Sequence, residues 1–158
     1  MKRPWNRTDL PVYSISTKFN AEHNMNICTY VAGASMEPKR MTVAIYKKTK
    51  TLSLAEKEKN FVLQLLAKDQ LNLVKYLGFK SGFNCDKIAY LNKKNLTKPW
   101  NGFEVLKDAL AYIHLKQIKS IDAGDHQLFL CDVIGFFNNL DAEGLTLNEL
   151  RRKKIIRG

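Results

Sequence analysis

Lys47, Lys48, Thr49, Lys50 and Thr51 set three ammonium groups and two hydroxyls in five consecutive positions. Such a cluster suits a phosphate, because a charged donor binds an anion roughly twice as strongly as a neutral one. A helix opening beside it would add backbone N–H groups aimed at the same anion. Ser53 and Glu56 have the capping-box spacing, and Leu52, Leu54 and Ala55 begin an apolar run, so a short helix is expected from Ser53 to Lys59. Upstream, Ile27, Cys28 and Thr29 lie in a strand of small and polar residues. That strand could offer a flat apolar surface, plus backbone groups along its edge, to a planar ring. A phosphorylated cofactor is the first expectation. The same residues have plainer uses: Ile27 to Thr29 can be an ordinary barrel strand, and Thr49 and Thr51 can cap a helix start.

The elements that must position these residues follow from patterning. Residues 1–9 are polar and read as a loose lead-in. Leu10 to Thr17 alternates around Val12 and Ile15 and reads as a first strand. His23 falls in a polar turn after it. Asn26 to Ala34 and Met41 to Tyr46 are strands two and three, joined by a turn at Pro38. Asn60 to Leu66 is apolar enough for a buried strand. Asp69 is placed to cap a second helix carrying Leu71, Val74 and Leu77 at helical spacing, with Gly78 as its C-terminal glycine. Lys80 to Gly102 reads as a long irregular segment, of the kind that tends to be functional in a compact fold. Ala109 to Ile121 and Gln127 to Phe137 are long strands around an Ala123-Gly124-Asp125 hairpin turn. His114 reads as a satisfied barrel histidine. The last strand is apolar on both faces, so both faces need a cover. Thr146 and Glu149 cap a C-terminal helix within the basic tail 145–158. The expected fold is mainly β, a six- to seven-stranded antiparallel barrel with short accessory helices, formed by residues 1–158 as a single domain.

Composition narrows the function classes. Charged and apolar fractions are ordinary for a globular chain of 158 residues. No apolar run approaches the ~20 residues needed to span a bilayer. Met1 to Trp5 is basic but has no apolar stretch after it, so a secretory signal is not expected and a cytoplasmic location is the default. Cys28, Cys85 and Cys131 are scattered, which argues against a metal site or a disulfide framework. The net charge of +11 fits an anionic ligand as well as nucleic acid, and no nucleic-acid motif accompanies it. Nucleic acid is therefore not the expected partner.

The Asn24–Thr51 stretch also resembles the flavin-reductase-like, FMN-binding split-barrel family. The likeness is carried by Cys28-Thr29, by the Ser35-Met36-Glu37-Pro38 turn, by the apolar strand Met41 to Ile45, and by Thr51. Asp86-Lys87-Ile88 resembles the family's Asp-Lys-Phe, and Gly124-Asp125-His126 its Gly-Asp-His, so the likeness runs from about Leu10 to Gly135. It implies a split barrel, a homodimer with flavin at its interface, and FMN as cofactor, with FAD as the other form. It places Cys28 and Thr29 at the ring, Thr51 at the phosphate, Lys87 in the cofactor set, and His126 near the flavin as the catalytic candidate. Lys39 stands where a second proline is usual, and Cys28 where alanine or serine is usual.

Flavin reduction by NAD(P)H needs no nucleophile or acid–base pair, because the hydride chemistry is the cofactor's. A Gly-x-Gly-x-x-Gly fingerprint is absent, so nicotinamide would bind transiently over the flavin. Two functions are carried forward. One is an NAD(P)H-dependent flavin reductase that passes electrons to free flavin, a partner protein or a metal complex. The other is a flavin-binding electron carrier or ligand-binding protein without nicotinamide activity.

Overall fold

The computed structural model describes residues 3–157. After a 3-10 turn at Pro4–Asn6, the chain lays down β1 (Tyr13–Phe19), β2 (Glu22–Cys28), β3 (Val31–Ser35) and β4 (Arg40–Tyr46). Then come α1 (Lys50–Glu58), β5 (Asn60–Leu65), α2 (Leu71–Phe79), α3 (Lys87–Lys93), the small hairpin β6 (Thr97–Trp100) and β7 (Phe103–Leu106), the long hairpin β8 (Ala111–Ala123) and β9 (His126–Asn138), and α4 (Leu147–Arg152). Seven strands form one antiparallel sheet in the order β2-β1-β5-β8-β9-β4-β3. The expectation of a six- to seven-stranded antiparallel barrel with short helices is met, and the barrel is split rather than closed.

The split has a specific origin. Asn26 to Ala34 does not form one strand. The chain leaves the sheet at Cys28 and re-enters it at Val31, on the opposite edge. Thr29 and Tyr30 therefore bridge the two rims of a curled sheet. The Ala44 N–H donates to the Tyr30 carbonyl at 2.9 Å, and the Cys28 thiol lies 3.6 Å from the Ala44 carbonyl, so the rims meet without a ladder between them. Apolar content is continuous through this stretch, which is why patterning merges the two strands.

Strand alternation sorts side chains onto two cores. Ile15, Val43, Ile45, Phe61, Leu63, Leu115 and Phe129 fill the barrel interior. Val12, Met25, Val62, Leu77, Leu91, Val105 and Tyr112 make the second core, where α2, α3, α4 and the β6–β7 hairpin cover the outside of the sheet. Gln64 ties the layers together: its side chain donates to the Ser14 hydroxyl at 3.1 Å and accepts from the Leu106 N–H at 2.5 Å. Among the described residues, no helix is long and apolar enough to cross a membrane.

Several expectations are corrected. α1 begins at Lys50, with Thr49 rather than Ser53 at its N-cap; the Thr49 hydroxyl accepts from the Leu52 N–H at 3.2 Å. Ser53 instead donates to the Lys50 carbonyl. Both residues carry cap-type hydroxyls, and the turn that leaves β4 decides between them. Asp69 sits in a 3-10 turn ahead of α2, which has no side-chain cap. Gly78 lies inside α2, where a Cβ would come 3.4 Å from Ile27, so it serves the packing of α2 on β2 and not a helix stop. The long segment Lys80 to Gly102 contains α3, capped by the Asp86 carboxylate on the Ala89 N–H at 2.9 Å, and β6. The Thr146 hydroxyl caps α4 as expected. The β9 strand is covered only in part: Phe129 and Cys131 are buried, while Ile134, Phe136 and Phe137 remain exposed, together with Ile118 and Ile121 of β8.

Candidate functional site

The seam between the sheet rims opens into a narrow cleft of about 80 Å³ lined by Ile15, Asn26 to Tyr30, Ala44 to Tyr46, Thr49, Thr51 and His126. Its walls are apolar at Ile15 and Ile45, while the unladdered edge of β2 supplies backbone polar groups. Tyr30, Tyr46 and His126 stand together at the mouth. The His126 ring centroid lies 5.0 Å from that of Tyr30, edge-on, and 5.4 Å from that of Tyr46. His126 is held by its own neighbour: its Nδ1 lies 2.6 Å from the Asp125 carboxylate, and that hydrogen bond keeps the Asp125 carboxyl below the usual carboxylate range. The Cys28 thiol is buried, which pushes it up to about 12, so at neutral pH it is a protonated thiol and no nucleophile.

A second compartment of about 190 Å³ adjoins the first across Asn26, Tyr46 and Thr49. It is built by Lys48 and Lys50 at the start of α1 and by Gly78 to Gly82 at the end of α2. Lys48, Lys50, Lys80 and Ser81 thus line one compartment beside the first turn of α1, a residue set suited to an anion. The Lys80 ammonium itself lies over the Tyr76 ring, and the Ser81 hydroxyl accepts from the Phe83 N–H. Lys50 also reaches Glu22 at 3.2 Å. The floor is polar and tightly fitted. The Asn24 side chain donates to the Thr51 hydroxyl at 2.9 Å, and Gly82 presses on the other side of that amide, where a Cβ would fall 2.3 Å from Asn24 Oδ1. A narrow, partly apolar slot beside a cationic compartment is a donor and surface set suited to a phosphorylated ligand with a flat apolar part.

The structure brings Ile27, Cys28, Thr29, Thr49, Thr51 and His126 to the first compartment and Lys48, Thr49 and Lys50 to the second. Two named residues lie elsewhere. Lys47 pairs with Asp122 at 2.7 Å, and its N–H donates to the Asp125 carbonyl at 3.0 Å, so it latches the β8–β9 turn to the loop before α1. Lys87 is fully buried on α3, donating to the Leu77 carbonyl at 2.5 Å, and burial lowers its ammonium to about 8. Thr51 is also fully buried, its hydroxyl engaged by Asn24. Tyr30, Tyr46, Lys80 and Ser81 were not legible as site residues. The tyrosines look like strand residues, and Lys80-Ser81-Gly82 becomes informative only when α2 ends against β2.

With this geometry in place, comparison with known proteins identifies the class. Residues 5–154 match the flavin-reductase-like domain, so the chain belongs to the flavin reductase-like family and to its flavin-related function. A high molecular weight rubredoxin of Moorella thermoacetica is 31% identical over 137 residues, covering 85% of this chain. The chain spans 58% of that relative's length. An FMN-binding protein from Thermus thermophilus, solved with bound 1-cyclohex-2-enone, superposes with a TM-score of 0.77 at 22% identity, over 88% of this chain and 76% of its own. An NADH:FAD oxidoreductase from Streptomyces globisporus superposes with a TM-score of 0.78 at 14% identity, over 90% and 83%. At these identities the two structures show the shared split-barrel fold.

Proposed function

We propose that the seam cleft binds FMN and that the protein is an NAD(P)H-dependent flavin reductase. The single observation that carries this is the continuity of the two compartments: a slot along the β2 edge adjoins a pocket lined by three lysines, a serine and a helix start. The ring would lie against Ile27, Cys28 and Thr29 with its phosphate toward Lys48, Lys50, Lys80 and Ser81.

When bound, flavin supplies two-electron hydride chemistry. This chain's residues do the rest. Tyr30 and Tyr46 narrow the mouth and limit water. His126, fixed by Asp125, stands where a transient nicotinamide would cross the ring, and orients it. The exposed Ile118, Ile121, Ile134, Phe136 and Phe137 leave the β8–β9 hairpin with apolar surface suited to a homodimer contact, the commonest way to cover it. Electrons would then leave to an acceptor, and the Moorella relative's name supports an electron-transfer setting. Without nicotinamide activity the same cleft makes a flavin-binding electron carrier or ligand-binding protein.

The deciding experiment is a visible spectrum during FMN titration, followed by anaerobic NADH or NADPH. Tight FMN binding and rapid bleaching are expected. Binding without bleaching would replace the reductase by the carrier, and no binding would remove both.

A further inference from the structure

The α2–α3 face carries a surface that, apart from Phe79 and Lys80 at its edge, lies outside the cleft. Tyr76 and Tyr90 stack at 4.0 Å between ring centroids. The Lys80 ammonium lies 5.0 Å from the Tyr76 ring and that of Lys94 lies 5.3 Å from the Tyr90 ring, so the order is cation, ring, ring, cation. Beside this ladder, Phe79 and Phe83 are 64% and 63% exposed, far more than their size requires. Between Lys75 and Lys94 there are five lysines and one carboxylate, Asp86, which is committed to capping α3. Lys87 is buried; among the described residues Lys75, Lys80, Lys93 and Lys94 have no acidic partner. Apolar aromatic residues ringed by unpaired charges of one sign are the anatomy of a weak, transient protein contact.

The face is continuous with the cleft, because Phe79 and Lys80 belong to both. We infer that the α2–α3 face docks a small acidic electron-carrier protein. The inference rests on the flavin reading of the cleft and names its acceptor class. Charge complementarity selects the occupant: a protein of net +11 steers an acidic partner, and the unpaired lysines fix where it lands. Nucleic acid has little to stack on, because the ring faces of Tyr76 and Tyr90 are occupied by each other and by lysine and only Phe79 and Phe83 stay open. With NAD(P)H as reductant the balance is NAD(P)H plus two oxidised one-electron carriers, giving NAD(P)+, two reduced carriers and one proton.

The test is calorimetric titration of the full chain with a purified rubredoxin of net negative charge, and with basic cytochrome c as control. Lys93→Glu/Lys94→Glu and Phe83→Ser are the variants, with Lys119→Glu as a charge reversal on β8. Expected is rubredoxin binding that weakens at least about tenfold from about 20 to about 200 mM salt and again in either variant. Lys119→Glu should bind within about twofold of wild type, and cytochrome c should not bind. FMN titration of each variant should match wild type, since none of these residues lines the cleft. Absent rubredoxin binding, or binding indifferent to both variants, overturns the docking surface even if FMN binds normally. A chain that binds rubredoxin in this pattern but not FMN overturns the cleft reading and leaves the surface standing. Loss of self-association or of single-stranded oligonucleotide binding in the variants, in place of rubredoxin binding, assigns the face to a second copy or to nucleic acid and also overturns it.

Discussion

Replacing Gly82 by alanine tests the link between the floor of the cleft and its anion compartment. The added Cβ would lie 2.3 Å from Asn24 Oδ1, 2.8 Å from Cγ and 3.1 Å from Nδ2. Asn24 is buried and cannot simply swing to solvent, and its amide already holds the Thr51 hydroxyl. One way to relieve the clash is to turn the amide and leave two buried polar groups unpaired, at a cost of about 1–3 kcal/mol. For a domain of this size that is a fall in melting temperature of roughly 3–10 °C. The other is to push Ser81 and Lys80 outward, which sacrifices charge-assisted bonds to an anion and weakens FMN about tenfold or more. Differential scanning calorimetry and FMN titration on the same sample read both routes. Adding Asn24→Ala removes the obstructing oxygen, so the double variant should tolerate the methyl, with a favourable coupling of about 1–2 kcal/mol. A Gly82→Ala protein that melts within about 1 °C of wild type and keeps its FMN affinity would refute the tight-floor reasoning.

Other outcomes follow from the same geometry. Lys80→Ala should weaken FMN about tenfold in fluorescence titration, whereas Lys47→Ala, which loses only an exposed pair with Asp122, should leave it within about twofold. His126→Ala should slow anaerobic bleaching by NADH about tenfold or more, with FMN affinity changed by less than about threefold, as stopped-flow absorbance would show. Because burial lowers Lys87 to about 8, the native state holds this proton less tightly than the unfolded chain does. Stability from this group therefore rises as pH climbs from about 8 to about 10.4. In denaturant melts, wild type should gain on Lys87→Met across that window, and a constant difference would refute the buried-amine assignment.

Much of this site could be read from residue order. The hydroxyl and lysine run at Lys47 to Thr51 does lead into a helix, and Ile27 to Thr29 do face the slot. The β8–β9 turn at Gly124, with φ of +82°, was legible because a turn writes its backbone angles into residue type. What stayed hidden depends on where distant segments meet. Nothing local distinguishes Lys47, which turns to the hairpin, from Lys48, one residue on. Lys87 looked like an available cation because its burial against α2, where it donates to the Leu77 carbonyl, is a tertiary event. The break at Thr29–Tyr30 escaped because two short strands on opposite rims share one unbroken apolar pattern.

That two-residue bridge also acts as a length gauge. Cys28 and Val31 belong to ladders at opposite ends of the sheet, so the peptide between them sets how far apart the rims stand. An insertion there would widen the slot without costing any ladder hydrogen bond, and a deletion would draw it shut. Divergence in this family can thus retune what a cleft admits at a single connector, while the sheet that carries it keeps its register.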